Sequence, residues 1–328
     1  MGMDGNAMRW TRGRRGHYEG WFVAFNNPGE GAGYWVRYSM VAPTNQADAP
    51  FAQVWFMRTD TSATPRNRAL RTTFPIADLH ATTRPFSLDI AENRLDEGGC
   101  RGRLSDDLGE VAWELRFESL LPGFTPTPEW GARVATCFQE PRPLLRVTGE
   151  ITEDGRRRRV EGWLGEQAHV FGARHSERWH WAECKHLGSG RSFTGVAAWP
   201  RLPPRTVTSL ALLGGEHRLA RTGTLDMFRP VTAHSPDGWV FDAEYRLERL
   251  AGSVVPRRED LIAITYHDPS GRSVHCYHSE LADIELRYYR RDSRASAWRL
   301  EEELAAPGAA AFEYGSVTPL DGVPLLLT

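Results

Sequence analysis

EGWLGEQAHVFGARHSERWHWAECKH, residues 161–186, decides how the chain reads. It carries three of the twelve Trp, four of the eleven His and the only Lys, Lys185. Ionisable groups packed this densely among large aromatics are what lines a ligand pocket. From Trp179 to His186 the pattern has a period of two. As a strand it puts Trp179, Trp181, Glu183 and Lys185 on one face and His180, Ala182, Cys184 and His186 on the other. Arg191–Ala198 reads as its return strand across Gly188-Ser189-Gly190. Upstream, Arg142–Glu150 and Arg156–Trp163 pair across Glu153-Asp154-Gly155, where Asp-Gly is a hairpin signal. The stretch is thus a strand, a loop flanked by His169 and His175, and a second strand.

The same period extends outward. His17–Phe25 alternates and ends at the turn Asn26-Asn27-Pro28-Gly29. Gly33–Val41 returns, with Trp35, Arg37 and Ser39 on one face and Tyr34, Val36, Tyr38 and Met40 on the other. Ala52–Arg58, Arg68–Pro75, Phe86–Ala91, Gly102–Leu104 and Val111–Ser119 continue the pattern. Trp199-Pro200-Arg201-Leu202-Pro203-Pro204 is too rich in proline for a central strand and marks a linker. Beyond it, strands are expected at Val207–Leu213, Gly238–Leu250, Asp260–Tyr266, Ser273–Ser279, Ala282–Arg290 and Ala311–Thr318. The expectation is an all-β protein of two antiparallel barrels or sandwiches: residues 1–199, a linker at 200–206, and residues 207–328.

The 328 residues are enough for two cores. A net charge of −2 gives no electrostatic reason to expect nucleic acid or an anionic membrane as a partner. Four scattered Cys make no disulfide scaffold. The N-terminus has no apolar signal region, and no run is long enough for a spanning helix. These features predict a soluble cytoplasmic protein without membrane insertion. Zinc is not expected, because neither His180, Cys184 and His186 nor His275, Cys276 and His278 have the usual ligand spacing. No GxSxG is present, and the glycines of Gly29–Gly33 are followed by a strand rather than a nucleotide-binding helix.

Three stretches resemble the superfamily of carotenoid 1,2-hydratase and tocopherol cyclase. They are Tyr18-Glu19-Gly20-Trp21-Phe22 with its return Tyr34-Trp35-Val36-Arg37-Tyr38; Glu161-Gly162-Trp163, Phe171-Gly172 and Arg178-Trp179-His180-Trp181-Ala182-Glu183-Cys184; and Phe312-Glu313-Tyr314-Gly315 with Pro324-Leu325. The resemblance implies two tandem lipocalin-like domains with a pocket near their junction. It also implies a cofactor-independent cyclase, hydratase, isomerase or Diels–Alderase of secondary metabolism, acting on an apolar isoprenoid, polyene or polyketide. Two positions depart from the cyclase pattern. Val170 stands where an Asn precedes the Trp-Gly, and Glu183 stands where a Gln precedes the Cys.

Protonating an alkene needs a desolvated acid and aromatic faces to stabilise the cation. Glu183 beside Trp179 and Trp181 suits that role, with Glu166, His169 and His175 as further candidate catalytic groups. Glu19, Trp21, Arg37, Tyr38, Arg174, Trp179 and Trp181 are candidate substrate contacts. Glu19 and Arg37 are also expected as a pair between facing strands. The competing readings are a Glu183–Lys185 surface pair and a non-catalytic carrier of a lipid or pigment.

Overall fold

The computed structural model describes residues 5–107, 109–127, 136–188, 190–199, 207–214 and 233–328, with positions 129, 132, 219 and 220 between them. The chain is almost wholly β and forms two curled sheets. The first holds β1 (His17–Asn27), β2 (Ala32–Ala42), β3 (Phe51–Asp60), β4 (Asn67–Pro75), β5 (Leu79–Thr83), β6 (Phe86–Ile90), β7 (Asn93–Asp96), β8 (Gly99–Asp106), β9 (Gly109–Ser119), β10 (Thr136–Glu153) and β11 (Arg156–Gly172). Their order is β4-β3-β2-β1-β11-β10-β9-β8-β7-β6-β5. The meander returns its last strand beside its first, antiparallel, with Trp21 opposite His169. β10 passes Pro141 and Pro143 with register shifts between Gln139 and Leu145. Proline supplies no N–H to the ladder, so the strand bulges there.

The second sheet holds β12 (Arg178–Cys184), β13 (Ser192–Trp199), β14 (Val207–Leu213), β15 (Leu219–Ala220), β16 (Ala233–Ser235), β17 (Gly238–Tyr245), β18 (Glu248–Val255), β19 (Ile262–His267), β20 (Ser273–Arg290), β21 (Arg299–Ser316) and β22 (Leu325–Leu327). Its main path is β15-β14-β13-β12-β21-β20-β18-β17-β16. The first part of β20 pairs with β19 and its later part with β18.

Alternation builds three apolar layers. Trp21, Val23 and Phe25 of β1, with Tyr34, Val36 and Tyr38 of β2, fill the first barrel. Ala182, Cys184, Phe193, Trp239, Phe241 and Phe312 belong to the core of the second. The opposite strand faces meet between the sheets: Phe22, Trp35, Trp55, Phe138, Ala168, Trp181, Ile264, Tyr266 and Ala311 are buried there. β1 and β2 are therefore covered on both faces, which is why they read as nearly continuous apolar runs.

The structure corrects several sequence expectations. β12 and β13 hydrogen-bond in the second sheet, so sheet membership changes between Gly172 and Arg178, upstream of the expected division at 199. The short segment between these residues lacks the proline signal that drew attention downstream. The expected linker, 200–206, lies outside the described residues. Gly238–Leu250 is a hairpin rather than one strand, with Arg246 in its turn at φ 52°. Ser273–Ser279 and Ala282–Arg290 are one strand with bulges between Ser279 and Ile284.

Candidate active site between the two sheets

The period-two reading of residues 179–186 holds, and its consequence is burial. Trp181, Glu183 and Lys185 face the layer between the sheets and are each at most 5% exposed. Lys185 Nζ donates to Glu166 Oε2 at 2.9 Å and to Ser192 Oγ at 3.2 Å, and it pairs with Glu183. Glu140 from β10 is buried beside them, and neither of its oxygens makes a hydrogen bond of good geometry among the described residues. The expected surface pair is thus the buried centre of a three-carboxyl, one-ammonium cluster drawn from both sheets.

One ammonium cannot balance three buried carboxylates, so protons must stay on some of them. Burial pushes Glu183 well above the usual carboxyl range, and Glu166 adds to it against the pull of Lys185. Burial and then Glu166 lift Glu140 to about 8. Burial works against the charge on Lys185, but Glu166, Glu183 and Glu140 outweigh it and hold its proton.

A second group continues the polar line. His278 of β20 bridges Glu280 (Nε2–Oε1, 2.7 Å) and Glu313 of β21 (Nδ1–Oε1, 3.2 Å). Glu313 also accepts from Trp179 Nε1 at 3.2 Å. Burial opposes the charged form of His278, yet Glu280 and Glu313 raise it to about 9. Burial lifts Glu280 to about 7 against the bond from His278. A Cβ on Gly315 would lie 2.2 Å from the Trp179 ring, so glycine is what lets that indole lie on β21.

The aromatic end of the layer is stacked. His175 lies 4.0 Å from Tyr18, 5.4 Å from Tyr266 and 6.2 Å from Trp179 between ring centroids. Its backbone N–H donates to Asp268 Oδ2 at 2.7 Å, and burial lowers the pKa of its imidazole. Arg37 lies across Gly20, with its guanidinium 4.7 Å from the Tyr266 ring centroid.

Glu183, Glu166, His175, Arg37, Trp179 and Trp181 therefore meet in one layer. His169, Glu19, Trp21 and Tyr38 do not. β11 runs on to Gly172, so His169 lies within a strand rather than at a loop, on the opposite face from Glu166. Its Nε2 lies 2.9 Å from Glu19 Oε1, and its ring stacks on Trp21 at 4.6 Å. Glu19 does not pair with Arg37. The register sets Glu19 opposite Met40 and Arg37 opposite Phe22, on different faces. Instead Glu19 accepts the backbone N–H groups of Arg9 at 2.6 Å and Trp10 at 2.8 Å, and it contacts His17 at 3.2 Å. Burial alone would raise its pKa, but His169 and His17 bring it down to about 2. Tyr38 donates to the Arg94 carbonyl at 3.0 Å inside the first barrel. Arg174 is partly buried beside His175, with its carbonyl accepting from Thr136 Oγ1 at 3.2 Å.

Glu19 is thus an anchor for the N-terminal segment. Glu19→Gln should destabilise the fold by about 1–3 kcal/mol, the cost of leaving buried donors unmatched. Amide exchange at Arg9 and Trp10 should accelerate with it; unchanged exchange there would contradict the anchoring role.

The layer also sets a pH dependence. Above about pH 4.5 the unfolded chain releases protons that folded Glu140 and Glu280 keep, so stability falls as pH rises, through about 7 for Glu280 and about 8 for Glu140. His278 acts in the same direction: its contribution is complete below its ordinary 6.5 and is lost as pH passes about 9. Glu19 acts at the acid end, its contribution lost as pH falls from 4.5 toward 2. Urea midpoints should peak near about pH 5 and decline toward pH 9. A midpoint rising steadily over that range would contradict these protonation states.

Glu140, Glu280 and Glu313 were not singled out from sequence, although Glu313 lies in a quoted motif, and His278 was weighed only as a zinc ligand. An acid flanked by aromatics within a strand, as in Phe312-Glu313-Tyr314, is the signal that could have found Glu313. Among the described residues no helix is long and apolar enough to cross a membrane.

No protein-family model matches the chain. Uncharacterized proteins from two strains of Mycobacterium tuberculosis, CDC 1551 and H37Rv, are each 26% identical over 292 residues, covering 85% of this chain and 83% of theirs. A solved Nitrosomonas europaea protein, provisionally named AttH, aligns over 92% of both chains at 11% identity with a TM-score of 0.58. A kievitone hydratase from Nectria haematococca aligns over 90% of this chain and 88% of its own at 9% identity, with a TM-score of 0.49. The chain shares its fold, two tandem lipocalin-like β domains, with the AttH structure.

Proposed function

We propose that the layer between the sheets is the active site of a cofactor-independent hydratase or cyclase acting on an apolar alkene. Glu183 is its proton donor. The observation that carries this reading is a carboxyl buried on the same strand face as Trp179 and Trp181, where burial and the neighbouring Glu166 push its pKa well above the usual carboxyl range. Transfer of the Glu183 proton to an alkene carbon leaves a tertiary carbocation and a carboxylate. The indole faces stabilise the cation, and the Lys185 ammonium stabilises the carboxylate. Capture by water gives hydration, and capture by a hydroxyl of the substrate gives ring closure. Either path releases one proton, which returns the carboxyl to its starting form. The sequence motifs support an isoprenoid, polyene or polyketide as substrate. They support pericyclic, shape-guided chemistry less directly, because shape alone does not require a buried acid.

The test is incubation in D2O with a panel of prenylated phenols and linear polyenes, read by mass spectrometry. An enzyme of this kind adds deuterium to an alkene carbon of at least one compound. A protein that returns every extracted and added compound unlabelled is a carrier.

A further inference from the structure

We infer that Arg37, Tyr266 and Trp35 form an oxyanion-binding subsite in this layer. It takes the carboxylate or phenolate head of a substrate whose apolar tail reaches Glu183, and so it rests on the proposed function. Arg37 projects from β2 into the layer and is 6% exposed. It can lie down there because Gly20 has no side chain: a Cβ would sit 2.8 Å from Arg37 Nη2. The guanidinium carbon is 4.7 Å from the Tyr266 ring centroid and 5.7 Å from that of Trp35.

Among the described residues no carboxylate lies within ion-pair distance of Arg37. The nearby acids are already engaged. Glu313 is bonded to His278 and Trp179, and Asp268 to His175 and Ser270. Arg37 Nε, Tyr266 Oη and Trp35 Nε1 are all buried with no hydrogen bond of good geometry; the Cys276 thiol beside Tyr266 is a weak partner. Natural proteins seldom leave buried donors unmatched, and three in one place ask for an acceptor. A guanidinium among donors selects an anion over a neutral group or a cation. The subsite and the acid share a wall: Trp35 and His278 are 5.7 Å apart, and His278 and Trp181 are 6.3 Å apart. A head group held at Arg37 would therefore lie two ring contacts from Trp181, on the strand face that carries Glu183.

The test compares 4-phenylbutyrate with the isosteric 4-phenylbutyramide by tryptophan fluorescence titration at pH 7. The proteins are the wild type, Arg37→Met, Tyr266→Phe and Glu183→Gln. The wild type should bind the carboxylate at least about tenfold tighter than the amide. Arg37→Met should abolish that preference, and Tyr266→Phe should reduce it severalfold. Glu183→Gln should keep it while losing deuterium incorporation, which separates this subsite from the acid. If Arg37→Met does not fold, Tyr266→Phe decides. Equal binding of the two probes by the wild type, binding of neither, or an undiminished preference in the variants overturns the subsite. Full deuterium incorporation by Glu183→Gln would instead overturn the acid and leave the subsite standing.

Discussion

Lys185→Met should be the most destabilising single substitution in the layer, costing about 3–5 kcal/mol in chemical denaturation. The ammonium donates to Glu166 and Ser192 and pairs with Glu183, all buried. Methionine nearly fills its volume, so the loss is electrostatic rather than a cavity. What remains is a buried carboxylate with no cation, while Glu183 and Glu140 remain beside it. Removing charge on both sides should therefore rescue stability. Lys185→Met with Glu166→Gln should recover most of the loss, because a buried ion pair replaced as a unit often costs little. No rescue in the double variant would show that Lys185 acts through shape instead. The chain carries 39 Arg and one Lys, so the choice of Lys here suits a compact ammonium among three carboxyls better than a planar fork.

Glu183→Gln should slow deuterium transfer to substrate by about 10²–10⁴-fold, the usual contribution of a positioned acid. Folding should hardly change, since the glutamine amide is close in size to the neutral carboxyl it replaces. Glu183→Asp keeps the acid but withdraws it by one methylene, and should retain part of the rate. A Glu183→Gln variant as fast as the wild type would move the proton donor elsewhere in the layer, with Glu140 the next carboxyl held neutral. Equal losses in Glu183→Gln and Glu140→Gln would instead mark the cluster as one shared proton store.

Much of this was legible in the sequence, because strand parity is a local property. Alternation alone placed Trp179, Trp181, Glu183 and Lys185 on one face and Arg37 with Trp35 on one face of β2, and both faces are observed. Turn chemistry at Asp154-Gly155 placed the β10–β11 hairpin. Register between distant strands was not legible. Nothing local says that His278 lies opposite Glu313, or that Glu140 and Glu166 converge on Lys185. Parity also failed where a strand end was misjudged. With His169 expected at the edge of a loop, its place on the strand three residues from Glu166, and so on the opposite face, was not legible. The glycines of the motifs became intelligible only with partners in place. Gly20 admits Arg37, and Gly315 admits Trp179.

The neutral carboxyl can be observed without a substrate. Infrared difference spectroscopy of the wild type against Glu183→Gln at pH 7 isolates the carbonyl stretch of a protonated carboxylic acid, marked by its shift in D2O. The account predicts that the wild type shows this band and that Glu183→Gln loses a component of it. A wild type with no such band, or a band unchanged in the variant, would contradict it.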